Sequence, residues 1–291
     1  MTPKLQASPL RCSPRTTRCT WATPSTDAPG DAVRIEKNGQ AIVSMDDWRR
    51  LAPPKHPGHW VPGRSALELA RAWCGAAGPA MPAGLRELLD SRPETRNLRV
   101  DVVHPEHRIV FDEHGGEPRN ADLAFVGEGP TGRVAVTVEA KADEPFGPTV
   151  GEAMAAALER AVGNPRSRGT ERILGLVRAL FNPAEKGQPF LTELQYQLLT
   201  GLAGTLAYAA ESGARTAAFV VHEFITSKTR DERHAKNARD LESFLRRLGL
   251  LRPGDTQYTG FLGPVRVPAS KHVPRSVDVL VGKVVTDVRS Q

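Results

Sequence analysis

The chain has 291 residues, 40% hydrophobic and 25% charged, the proportions of an ordinary globular protein able to bury a sizeable core. No apolar run reaches the length of a membrane span; the longest, residues 198–210, carries Thr200, Thr205, Tyr208 and two glycines and reads as a buried helix. A formal charge of +6 and a pI of about 9.5 lean toward anionic partners such as nucleic acid, although Lys and Arg are spread along the chain rather than packed in a run.

Residues 1–31 have no acid before Asp27 and are rich in Pro, Ser, Thr and Arg. Such a segment buries too little apolar surface to offset its chain entropy, and a disordered tail is expected. Cys12, Cys19 and Cys74 have no metal-ligand spacing, so a zinc site and a disulfide framework are set aside and a reducing cytoplasm is the expected compartment.

Residues 32–251 read as one α/β (α+β) domain, and 252–291 as a strand-containing extension packed on it. Two short apolar runs around Asn38-Gly39 predict a hairpin. Ser44 then caps a short helix with Trp48, and a proline-rich loop follows. Ser65 and Glu68 have the spacing of a capping box on a helix with an apolar stripe of Leu67, Ala70, Trp73 and Cys74. Pro82 opens another short helix ending near Asp90.

Strands are predicted over 98–104, over 108–114 with 120–126, and over 133–140. In the last of these, Val134, Val136 and Val138 take one face, and Thr137, Glu139 and Lys141 the other. Thr149 and Glu152 form a second capping box. Helices follow over 170–181 and 188–211, the latter with a stripe of Leu191, Leu194, Leu198 and Leu202 and with Gly201 and Gly204 for close approach. A buried strand (216–226) and a helix (234–248) complete the domain. The order of elements predicts a mixed central sheet flanked by helices.

A scan for an acid, any residue, then lysine returns Glu139-Ala140-Lys141 alone. Side chains two apart on a strand project together, and hairpin pairing brings Asp122 beside them. Mg²⁺ (or Mn²⁺) needs only one or two carboxylates because it keeps several waters; Asp122, Glu139 and the backbone carbonyl of Ala140 can supply the ligands. The ion polarises a phosphoryl oxygen and acidifies bound water, and Lys141 stands where developing charge needs a cation. The competing reading is a solvated Glu139–Lys141 pair worth under about 1 kcal/mol.

The arrangement resembles the PD-(D/E)xK phosphodiesterase superfamily, the restriction-endonuclease-like fold, with Glu139-Ala140-Lys141 in the motif position. The resemblance implies a Mg²⁺-dependent nuclease acting on DNA or RNA, with Asp122 and Glu139 as metal ligands and Lys141 as the catalytic lysine. Ala121 precedes Asp122 where the motif has proline. By the same resemblance, Gln197 faces the site and orients a phosphate or water; its competing reading is the polar flank of a helix. Glu68 is either an extra first-helix acid or a capping residue, and His222 reads first as a core histidine. The segments 48–73, 137–153, 195–209 and 220–224 are also similar to a bacterial family known only as a domain of unknown function. Two rivals to the nuclease stand: a catalytically silent module binding nucleic acid or a protein partner, and a hydrolase of small phosphorylated metabolites.

Overall fold

The computed structural model describes residues 32–75, 78–252, 255, 260–268 and 276–289. The expected disordered tail, with Cys12 and Cys19, lies outside the described residues, as do parts of the expected strand-containing extension, among them 256–259 and 269–275.

The elements in chain order are β1 (Arg34–Lys37), β2 (Gln40–Ile42), α1 (Met45–Leu51), α2 (Ser65–Trp73), β3 (Cys74–Gly75), β4 (Gly78–Pro79) and α3 (Ala83–Asp90). Then come β5 (Arg99–Ile109), β6 (Arg119–Gly129), β7 (Gly132–Lys141), α4 (Val150–Gly163), α5 (Gly169–Leu180), α6 (Tyr196–Ser212), β8 (Thr216–Ile225), α7 (Asp231–Arg247), β9 (Phe261–Val267) and β10 (Val277–Asp287). Eight strands form one mixed sheet in the order β2-β1-β5-β6-β7-β8-β10-β9. β5, β6 and β7 make an antiparallel meander, whereas β7, β8 and β10 run parallel. The expected mixed α/β fold is the one observed.

The predicted alternation along β7 builds the two cores. Val134, Val136, Val138 and Ala140 enter a cluster with Trp73, Leu85 and Phe125 on the α1–α3 side. Ala135 enters the other, with Leu198, Leu202, Phe219 and Phe244 on the α4–α7 side. Each fully buried large side chain contributes about 1.5–3 kcal/mol. Thr137 also faces α6, where its hydroxyl meets that of Thr205 at 2.5 Å. Thr205 gives its own proton to the Gly201 carbonyl at 2.8 Å, so Thr137 is the donor of the pair.

Four local expectations hold. Asn38 and Gly39 have φ of 51° and 76°, the left-handed pair that a two-residue hairpin needs. Ser44 accepts the Asp47 N–H at 3.1 Å, Pro82 stands at the start of α3, and Thr149 and Glu152 complete their capping box.

Three expectations are corrected. The strands expected at 98–104 and 108–114 are one strand, β5, running through Pro105; β1 pairs only as far as Val103, so the missing proline N–H falls where that edge is open. The helix expected over 188–211 begins only at Tyr196. Gln195 is held extended by a bridge to Thr149, flanked by Val150 N–H to Leu194 O (2.7 Å) and Tyr196 N–H to Pro148 O (3.0 Å). The Ser65–Glu68 capping box does not form: Ser65 is already helical, Arg64 is the cap, and Glu68 reaches back to the Gly63 N–H at 2.7 Å.

Gly201 explains how close α6 lies to the sheet. A Cβ there would stand 2.7 Å from the Phe219 ring, inside van der Waals contact. Overpacking costs about 1–3 kcal/mol, and the helix gains about 1 kcal/mol from replacing glycine by alanine. Gly201→Ala is therefore expected to lower Tm by a few degrees, with recovery in the Gly201→Ala, Phe219→Leu pair. Thermal unfolding followed by circular dichroism decides it, and a rise in Tm for the single variant would refute the packing account.

Candidate functional site

The site forms where the antiparallel meander meets the parallel half of the sheet, at the C-terminal ends of β7 and β8, the usual location for ligands in open α/β sheets. The β6–β7 ladder ends at Leu123–Val138. One residue further on, the Asp122 carboxylate takes the place of a backbone carbonyl and accepts the Ala140 N–H at 2.7 Å. Asp122 is thereby fixed beside Glu139, as the hairpin argument expected.

Glu139 is only 1% exposed. A carboxylate so far from water needs full compensation, and both of its oxygens are engaged. Oε2 accepts from Arg119, whereas Oε1 accepts from Lys141 and, at 2.6 Å, from Gln197 Nε2. The Glu139–Lys141 pair is therefore buried rather than solvated. Lys141 also donates to the Ala140 carbonyl at 3.3 Å, and its ammonium lies 5.4 Å from the centre of the Phe146 ring. Burial pulls the Lys141 pKa down to about 8, against the opposing pull of Asp122.

Gln197 reaches Glu139 because the extended Gln195 starts α6 at Tyr196, which brings the first turn of the helix over the strand end. The Gln197 amide therefore lies against Glu139 and lines the same cleft. The residues open into a cleft of about 660 Å³ lined by Asp122, Glu139, Ala140, Lys141, Glu144 and Gln197, with Lys55 and Glu117 paired at 3.0 Å on its rim.

Other candidates lie apart. Glu68 is 4% exposed, is bound to Gly63 and Arg71, and does not line the cleft. His222 pairs in register with Ala140 and so faces the opposite side of the sheet from Glu139. There it stacks on Phe224 and meets the Thr286 hydroxyl at 2.9 Å, and burial lowers its pKa to about 4. It is the core histidine expected.

Sequence reasoning missed three residues at the site. Arg119 sits at the start of β6 and is paired with Glu139. Glu106 stands across from Asp122 on β5 in a left-handed conformation (φ 50°), bonded by Asn120; burial and the Asp122 charge push its pKa up to about 7. Both depend on strand register, which the one-dimensional pattern does not carry beyond its nearest pairs. Glu144, immediately after the motif, accepts the N–H groups of Ala142 (2.9 Å) and Ser65 (3.1 Å), and its own carbonyl accepts from Asn237 at 2.9 Å. Its signal was position alone.

The donor set is oxygen only, which suits a hard cation such as Mg²⁺ or Mn²⁺ rather than zinc. Two carboxylates and a carbonyl would suit an ion that keeps most of its water, provided that Glu139 gave up a present partner. Among the described residues no group of three or more His, Cys, Asp or Glu side chains is arranged to hold a metal ion, so a larger protein cage is not formed.

A family model described as Domain of unknown function (DUF6946) matches residues 41–288. No curated protein and no solved structure matches the chain. No helix of the described residues is long and apolar enough to cross a membrane.

Glu144 joins the start of α2 to the end of β7, and removing it strips the partner from two backbone N–H groups. Unsatisfied buried donors cost about 1–3 kcal/mol, so Glu144→Ala is expected to lose about 2 kcal/mol in urea unfolding, and Glu144→Gln less. A loss below about 0.5 kcal/mol would mean that water replaces the carboxylate without penalty.

Proposed function

Since the chain belongs to this DUF6946 family, whose name carries no activity, we propose from the site alone that the protein is a Mg²⁺-dependent phosphodiesterase acting on nucleic acid, of the PD-(D/E)xK kind. One observation carries the reading: Asp122, Glu139 and Lys141 converge on a single cleft at a strand end, with Gln197 bonded to Glu139. The ion, when bound, supplies Lewis-acid polarisation of the phosphate and an acidified water.

The side chains divide the remaining tasks. Asp122, Glu139 and the Ala140 carbonyl are the oxygen ligands. Asp122 is already oriented by the Ala140 N–H, so little ordering remains to be done on binding. Lys141 keeps its ammonium in a nearly dry position, where its charge acts on a neighbouring phosphoryl oxygen far more strongly than in water. Gln197 orients the attacking water or a phosphate oxygen with its amide.

The rival reading, a catalytically silent module that binds nucleic acid or a protein, is favoured by one fact: both Glu139 oxygens already have partners. The cleft volume of about 660 Å³ also falls in the range of small-ligand pockets, which keeps small phosphoesters as substrates to test.

Purified protein incubated with plasmid, linear duplex, single-stranded DNA, RNA and a small phosphoester, with Mg²⁺ or Mn²⁺, decides between these. Cleavage is expected to vanish with EDTA and to fall by about 10²-fold or more in Lys141→Ala and in Glu139→Ala. Cleavage unchanged by both substitutions would remove the site assignment. Absence of cleavage of every substrate, with measurable nucleic-acid binding, would favour the silent module instead.

A further inference from the structure

The arginine on Glu139 has no counterpart in the lysine-based chemistry above. Arg119 sits with its side chain 13% exposed, against a glutamate side chain exposed by 1%. Its Nε has no hydrogen-bond partner, so the guanidinium is not fully used where it rests. Space for it is built into α6: a Cβ on Gly204 would stand 3.0 Å from the Arg119 Cγ. The glycine thus admits the arginine stem between the helix and the sheet. Asp122 and Glu106 are close enough to stabilise its charge as well.

Of the two oxygens of Glu139, Oε1 carries Lys141 and Gln197, and Oε2 carries only Arg119. A divalent cation shared between Asp122 and Glu139 would approach the position the guanidinium holds, and two like charges at that separation repel. Building on the metal-site reading given above, we infer that Arg119 is a resident counter-ion of Glu139 that yields Oε2 to the incoming metal and turns its planar fork onto the phosphate. The second half follows from what the first leaves behind. A displaced guanidinium keeps Asp122 and Glu106 as neighbours, but each has one oxygen held, by the Ala140 N–H and by Asn120. Asp122 would also be shared with the metal, so a phosphate is the one anion there with a free pair of oxygens. A phosphodiester oxygen pair matches its fork.

Metal and phosphodiester therefore bind cooperatively, each strengthening the other by the same factor. The metal alone binds weakly because it competes with an internal cation. With a phosphodiester present, the displaced arginine regains a partner. Such a device would keep the ion out until the anion that needs it has arrived.

The test measures binding, not turnover. Mn²⁺ titrations followed by electron paramagnetic resonance are run on the full chain and on Arg119→Gln, with and without a phosphorothioate-linked dinucleotide; Glu139→Gln controls for binding of Mn²⁺ to the dinucleotide itself. In the unaltered protein the dinucleotide is expected to tighten Mn²⁺ binding by roughly tenfold. Arg119→Gln is expected to bind Mn²⁺ alone about fivefold or more tightly than the unaltered protein, and to lose the dinucleotide effect. A folded Arg119→Gln that binds Mn²⁺ no better than the unaltered protein overturns the inference and leaves Arg119 a structural partner of Glu139.

Should Arg119→Gln fail to fold, Arg119→Lys decides. It keeps the charge but loses the fork, so weak binding of Mn²⁺ alone with a reduced dinucleotide effect supports the inference, and an unchanged dinucleotide effect overturns it. Lack of Mn²⁺ binding in the unaltered protein under both conditions overturns the metal-site reading itself, and the inference with it. That failure differs from the others because it precedes any substitution.

Discussion

One carboxylate organises this molecule. Glu139 projects from the end of an inner strand into a space covered by α6, and it is almost wholly removed from water. An ion in that position carries a desolvation penalty of several kcal/mol unless charges and hydrogen bonds surround it. Arg119 arrives from the neighbouring antiparallel strand, Lys141 from the same strand, and Gln197 from the helix above. Three elements are thus tied to one side chain, and the start of α6, the end of β7 and the start of β6 cannot move independently.

A second carboxylate repeats the arrangement one strand away. Glu223 lies beside Lys141 in the parallel register of β7 and β8, is equally buried, and is neutralised by Lys283 at 2.6 Å, with His234 Nδ1 at 2.9 Å from its other oxygen. The same face of the sheet therefore holds two buried anions with their cations, while the opposite face at this end holds Ala140, His222 and Phe224. The period of two along a strand separates chemistry from packing within consecutive residues.

That separation is why part of the site was legible in the sequence. The alternation over 133–141 is strict, so the shared face of Glu139 and Lys141 needed no tertiary information, and the nearest hairpin placed Asp122. Gln197 was open between two readings because helical period alone does not say where a helix begins. Arg119, Glu106 and Glu144 were not legible. The first two enter through strand register across β5 and β6, and local signals split β5 at Pro105 although tertiary pairing carries it through. Ser65 and Glu68 show the same limit in reverse: a correct capping spacing was overridden because Glu144 and Gly63 offered those groups other partners.

The bridge between Thr149 and Gln195, with its two flanking hydrogen bonds, closes the chain on itself. Everything from Gly151 to Glu193, including all of α5, becomes an excursion whose ends are pinned side by side. The position of Gln197 over the cleft is then independent of the length of the path between those pins. Of the turns within the excursion, that at 164–168 closes on itself through the Ser167 N–H to the Asn164 carbonyl at 2.8 Å, whereas that at 182–189 is held to α7, where Arg247 donates to the Asn182 carbonyl at 2.7 Å. The closure makes α4 and α5 a pinned excursion from the sheet rather than a link whose length sets where α6 begins.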